Sequence, residues 1–276
     1  MRQIKTIIHG QATSDGAGVQ LRRYIGTSEI RNLDPFLMLD VFSTDQPQDY
    51  IGGFPPHPHR GFETVTYLID GKMRHQDNAG NQGVIVPGGV QWMTAGRGII
   101  HSEMPEQTNG LLKGFQLWIN LPASHKMTPP KYQDFAPEAV PIEHSKTGGQ
   151  IRVIAGKTQA GTEGPVKNTL VYPTFFDIQL TSKESFQHSL AADDQTFVFV
   201  LEGQISIGER TLKSGELAIL TQGDKVSLQN TFEQISRLIL VSGQPIREPI
   251  VQRGPFVMNT QAEIEQAFTD YQEDKF

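Results

Sequence analysis

The sequence predicts an all-β protein built from a duplicated β-domain and closed by one C-terminal helix. Three observations lead there. Glycine (27) and proline (17) are scattered between short apolar runs, the pattern of many turns joining short strands. At 276 residues the chain exceeds one small core and suits two domains of ordinary size. A β-rich motif also recurs: ETVTYLIDG at 63–71 is matched by QTFVFVLEG at 195–203, and Gly83 and Gly215 keep the same offset of 132. Three anchors in one register indicate a repeat.

The elements follow in order. Gln20–Gly26 alternates weakly, and PFLMLDVF (35–42) reads as a buried strand. Thr64–Ile69, Gly83–Val86 and Phe115–Leu121 are strand-like, joined by glycine-rich connections such as DNAGNQG and PGGVQW. Residues 122–150 carry several prolines and little periodicity, as in a linker or arm. Strand-like runs resume at Gln150–Ala155, Leu170–Leu180, Thr196–Leu201, Gln204–Ile207, Glu216–Leu220 and Ser236–Val241. In NTQAEIEQAFTDY (259–271) the apolar residues fall at helical spacing, with Asn259 or Thr260 as N-cap and Glu263 placed for a capping box. The expected organisation is an N-terminal domain over 1–135, a linker over 136–150, a second domain over 151–245, and a tail over 246–276.

Composition excludes several functions. A net charge of −6 argues against a nucleic-acid surface, which shows as a basic stripe. No cysteine is present, so disulfides, thiolate metal sites and cysteine nucleophiles are ruled out. The first residues, MRQIKTIIHG, hold no apolar core of signal-peptide length, and no run approaches the roughly 18 apolar residues that span a bilayer. A cytoplasmic protein is the expectation. No P-loop, GxGxxG unit or GxSxG elbow is found.

Four of the eight histidines lie between 57 and 101. FPPHPHRGF offers His57-x-His59, and GRGIIHSEMP offers His101-x-Glu103. On a strand, residues i and i+2 share a face. Each pair therefore presents two donors in one direction, and two facing strands supply three imidazoles and a carboxylate. That set suits Fe(II), Mn, Co, Ni, Cu or Zn, with coordination positions left open. Pro56 and Pro58 lack an N–H, which places this segment at a sheet edge. At the repeat offset His57 falls opposite Ser189, His59 opposite Ala191 and Glu63 opposite Gln195; extended further, His101 falls opposite Glu233 and Glu103 opposite Ile235. The second copy thus lacks the donors.

The order His57-x-His59-x3-Glu63, then the turn glycine Gly71 and the later His101, resembles the cupin superfamily. FPPHPHRGFETVTYLIDG, PGGVQWMTAGRGIIHSE, QLWINLPASHKMTPPKYQ and RGPFVMNT resemble segments of pirins, a bicupin family, across most of the chain. The resemblance implies two tandem cupin (jelly-roll) barrels, with a metal, usually Fe(II), in the first alone. It implies His57, His59, His101 and Glu103 as ligands, and it moves to Glu103 the carboxylate role that a typical cupin gives to the position of Glu63. Glu63 and His75 are then candidates for residues behind the ligands. Trp92, Met93, Phe115 and Trp118 are candidate walls of an apolar substrate pocket, and each is also an ordinary core residue by type. Arg60 reads as a structural residue able to pair with a carboxylate. Gly96 and Gly98 shape the loop before His101.

The function so implied is quercetin 2,3-dioxygenase-like: metal-dependent dioxygenation of a flavonol-type aromatic, its partners a small aromatic substrate and dioxygen, with Glu103 as ligand and general base. The alternative is a metal-containing regulator that binds a protein partner, since eukaryotic members of the family are associated with transcriptional co-regulation. A sugar-phosphate isomerase on the same scaffold is disfavoured by the lack of a basic anion pocket beside the ligands.

Overall fold

A computed structural model describes all residues, 1–276. The chain divides into two compact units, and each combines segments distant in sequence: Gln11–Pro137 with Ile246–Phe276, and Met1–Gly10 with Glu138–Pro245.

The first unit is a barrel of two antiparallel sheets. The seven-stranded sheet runs Lys131–Phe135, Val90–Thr94, Phe62–Asp70, Leu112–Asn120, Phe36–Thr44, Val19–Ile25, Gln11–Asp15. The four-stranded sheet runs Phe54–His59, Ile99–Pro105, Met73–Asp77, Gln82–Ile85. The proline-rich segment at 54–59 is an edge strand, as a stretch missing three backbone N–H donors must be. In the second unit the same order recurs: Ile4–Ile8, Leu217–Leu220, Gln195–Glu202, Ser236–Gly243, Thr174–Leu180, Gln150–Ala155, Ile142–His144, with a four-stranded sheet of Ser185–Ser189, Lys225–Gln229, Gln204–Ile207 and Arg210–Lys213.

The two interiors differ. Register places Gln91 and Gln116 beside Thr66 in the first barrel. The matching row of the second is Val198 with Ala218 and Leu240, part of an aliphatic core with Val153, Phe176, Ile178 and Leu238. That core is lined mainly by apolar side chains, and a single buried histidine, His188, packs on it with its ring 5.0 Å from that of Phe176, so no cluster of imidazoles forms there. The polar row of the first barrel instead reaches the side chains of the site.

The structure redraws the segment boundaries read from the sequence. Residues 4–8 do not begin the first barrel: Ile4–Ile8 pairs with Leu217–Leu220 at the edge of the second sheet. Arg2 anchors this strand, its guanidinium donating to the carbonyls of Asp194 (2.7 Å), Thr221 (3.1 Å) and Ala191 (2.7 Å). A five-residue strand with a partner some 210 residues on leaves no local signal, because the pairing is decided by burying Ile4 and Ile8. Within the expected linker, Ile142–His144 forms a hairpin with Gln150–Arg152. The counterpart of the Ile99–Pro105 strand is Lys225–Gln229, so the offset of 132 does not extend to His101; a shorter connection in the second barrel shifts it, and Glu233 lies in the turn that follows.

The tail forms a hairpin (Val251–Arg253 with Phe256–Met258) and the helix Gln261–Gln272. Thr260 is the N-cap: its hydroxyl accepts from the Glu263 N–H (3.2 Å), and the Glu263 carboxylate accepts from the Thr260 N–H (2.8 Å). Ile264 and Ala267 are buried against Phe256 and Met258. Thr260→Ala is expected to destabilise the helix by about 1 kcal/mol, read as a lower urea midpoint; an unchanged midpoint refutes the cap's contribution. This helix is too short and polar to cross a membrane, and no other α-helix is present.

Candidate metal centre

Two strands build the centre. The Phe54–His59 edge strand pairs with Ile99–Pro105 so that His57 lies opposite His101 and His59 opposite Ile99. Between His101 and Glu103 the register slips, because the edge strand accommodates one extra residue and Glu103 meets Phe54. Gly96 (φ +52°) and Gly98 (φ +141°) turn the chain into the second strand, backbone values that favour glycine.

The three imidazoles converge. Ring centroids are separated by 4.7 Å (His57–His59), 4.5 Å (His57–His101) and 5.0 Å (His59–His101). One ring nitrogen from each lies within 4.8 Å of the others, and the Nε2 atoms of His57 and His59 are 3.0 Å apart. His57 Nδ1 is 2.8 Å from the Pro55 carbonyl; a proton on Nδ1 bonds there and leaves the Nε2 lone pair free. His59 and His101 are buried (3 % and 1 % exposed). Burial first, then the neighbouring imidazoles, hold both well below the ordinary histidine pKa, so both are neutral donors near pH 7. Neither ring nitrogen of His101 has a hydrogen-bond partner, and an unpaired buried polar group is costly. A cation among the three rings removes that cost, so these residues fit a divalent transition metal.

Glu103 is fully buried (1 % exposed) and stands outside the gathered trio. Its carboxylate accepts from the Thr66 hydroxyl (2.8 Å) and the Gln116 amide (2.5 Å). His75 lies opposite Glu103 in the ladder. Its Nε2 sits 3.4 Å from an Asp134 carboxylate oxygen, and its ring stacks on Tyr132 at 5.6 Å.

Strand alternation separates the remaining candidates. Phe62, Thr66, Gln116 and Trp118 share the face turned toward the histidine strands: the Phe62 and Trp118 rings lie 5.1 and 5.0 Å from that of His59. Glu63, at opposite parity to Phe62 in its strand, faces away from the cluster. There its carboxylate accepts from Trp92 Nε1 (3.0 Å) and the Thr94 hydroxyl (2.7 Å), and burial raises its pKa. Trp92 lies on that outer face with it, and Phe115 is likewise of opposite parity to Gln116 and Trp118. Met93 is inward but packs with Ala95, Ile99 and Tyr132. Of the four candidate wall residues, Trp118 alone lines the cleft of about 930 Å³ that opens onto His57 and His59.

Leu37, Met38, Gln116 and Ile250 also line this cleft. Gln116 was legible, being two residues before Trp118 on one face. Met38 pairs with Trp118 across strands, and Ile250 belongs to the distant tail, so neither carries a local signature. Arg60, next to His59, forms a buried ion pair with Asp270 (2.7 Å).

The fold and centre together define a bicupin whose N-terminal barrel alone gathers three histidines beside an open cleft. The profile described as Pirin matches residues 18–119, and that described as Pirin C-terminal cupin domain matches 175–276. The chain belongs to the pirin family. It is 47 % identical over 276 residues to a pirin-like protein of Caulobacter vibrioides, covering 100 % of this chain and 99 % of the relative. It is 39 % identical to human pirin over 282 aligned residues, covering 99 % and 93 %. The crystal structure of quercetin 2,3-dioxygenase from Acinetobacter baumannii superposes with a TM-score of 0.91 at 34 % identity, covering 100 % of this chain and 98 % of that one.

Proposed function

We propose that the chain is a metal-dependent dioxygenase acting on flavonol-type aromatics. The observation that carries this reading is the convergence of three imidazoles at a cleft walled by Trp118, Leu37 and Met38. The full-length likeness to a quercetin 2,3-dioxygenase supports it. His57, His59 and His101 would hold the cation, with Glu103 as the fourth donor; the donor set accepts Fe(II), Mn, Co, Ni, Cu or Zn, and the resemblance to pirins favours Fe(II) among them. When bound, such a cation supplies Lewis acidity that lowers the pKa of a substrate hydroxyl.

The protein's own groups do the rest. The apolar walls receive the flat ring system and exclude water from it. The Glu103 carboxylate takes the hydroxyl proton, while Thr66 and Gln116 fix its two oxygens so that it meets the substrate in one orientation.

Aerobic incubation of metal-loaded protein with quercetin tests the reading. Loss of the flavonol absorbance with release of carbon monoxide is the expected result. Glu103→Gln keeps the shape and removes the carboxylate that serves as both fourth donor and base, so kcat is expected to fall by at least roughly 10²–10⁴. No turnover with any of the six metals overturns the enzyme reading and favours a regulator. Elemental analysis of protein purified without added metal is expected to find iron.

A further inference from the structure

The two histidine-bearing strands are tied together by a side chain far from both in sequence, that of Phe276. Arg60 directly follows His59. Its guanidinium donates through Nε to the Arg97 carbonyl (2.5 Å) and through Nη1 to Asp270 (2.7 Å), and it lies over the Phe276 ring at 4.3 Å. The same ring fills the space above Gly98, where a Cβ would come within 2.8 Å of it. Gly98 stands three residues before His101. A second arm runs through the backbone. The Phe276 carbonyl accepts from the Asn78 amide (3.0 Å), while Asn78 exchanges two hydrogen bonds with Ile100, N–H to carbonyl at 2.9 Å and side-chain oxygen from N–H at 3.2 Å. Ile100 is the neighbour of His101. The ring is held from behind by Phe256 (5.5 Å) and Tyr271 (5.6 Å).

We propose that Phe276 is a positioning residue of the metal centre: seated on Arg60 and Gly98 and tied through Asn78 to Ile100, it fixes His59 and His101 relative to each other, so that tail docking and metal binding are one coupled equilibrium. This rests on the assignment of His57, His59 and His101 as ligands. The ring touches no ligand. It acts by restricting the residues that flank two of them, and a site held in its binding geometry before the cation arrives binds more tightly. Coupling of this kind is reciprocal. A tail that tightens the site must itself be tightened by the cation.

Co(II) is a suitable probe because its visible d–d band reports coordination geometry. Phe276→Ala is expected to bind Co(II) roughly tenfold more weakly, the scale on which groups behind a ligand act, with a shifted or weakened band. Phe276→Tyr keeps the ring and is expected to restore both. In the wild type, Co(II) is expected to slow amide exchange in the last turn of the Gln261–Gln272 helix, and in Phe276→Ala this protection is lost. A urea midpoint for Phe276→Ala close to wild type separates the effect from unfolding. Wild-type uptake of Co(II), with an alanine variant of unchanged affinity and band, overturns the clamp alone. A wild type that takes up no Co(II) overturns the ligand assignment and the clamp with it.

Discussion

His101→Ala is expected to abolish any stabilisation of the protein by a divalent metal. Metal bound to the folded state alone stabilises by RT ln(1 + [L]/Kd), about 2.7 kcal/mol at a free concentration near 100 Kd. For a unit of this size that raises the melting temperature by roughly 5–10 °C. His101 is the donor supplied by the opposite strand, so without it only the His57–His59 pair remains in the gathered cluster. The affinity loss should exceed the roughly 10–100-fold that follows from removing a partner behind a ligand, which brings the metal-induced shift close to zero. The metal-free variant should change far less. His101 has two unpartnered buried nitrogens, and their removal offsets part of the cavity that alanine leaves. Calorimetric scans of both proteins with and without metal check this. An undiminished shift in His101→Ala removes His101 from the site, and with it the dioxygenase reading.

Lys126→Met is expected to destabilise the first barrel by about 2–4 kcal/mol. Lys126 is 1 % exposed. Its ammonium donates to the Gly61 carbonyl (2.7 Å), the Asn120 side-chain oxygen (2.6 Å) and the Val257 carbonyl (3.0 Å). It therefore joins the turn after the ligand strand to the tail hairpin, and methionine leaves three acceptors without their donor. Burial lowers the Lys126 pKa to about 8, whereas the unfolded chain titrates near 10.4. Between these values the unfolded state binds more protons, so stability from this group rises with pH across that window. The gap between wild type and Lys126→Met should consequently widen from pH 8 to pH 10. Both tryptophans, Trp92 and Trp118, lie in this barrel, so urea unfolding followed by their fluorescence reads the correct unit. A gap that stays flat over that range refutes the depressed pKa; a methionine variant as stable as wild type refutes the role of the three hydrogen bonds.

Much of the centre was legible because it rests on short-range geometry. A spacing of two along a strand puts His57 with His59 on one face, and the prolines beside them mark an edge. The same rule, applied strictly, divides the candidate wall residues. Trp92 and Met93 differ by one position, and Phe115 and Trp118 by three, so neither pair can share a face. Type and hydrophobicity suggested all four; parity admits only Met93 and Trp118 to the inner face, and packing leaves only Trp118 at the cleft. Glu63 fails by the same parity against Phe62 and Thr66. The capping box at Thr260 and Glu263 was equally readable, since it too is complete within four residues.

By itself the sequence determined the all-β class, the repeated domain, the C-terminal helix and the two spaced pairs His57-x-His59 and His101-x-Glu103. Each is written within a few residues, where backbone periodicity alone fixes which side chains share a direction. Only the tertiary structure decided that the first strand completes the second barrel, that the tail belongs to the first, and that Thr66 and Gln116 hold Glu103. These pairings join residues tens to hundreds of positions apart. They are selected by the burial of whole faces and by the need to give every buried polar group a partner, and no local pattern encodes either condition.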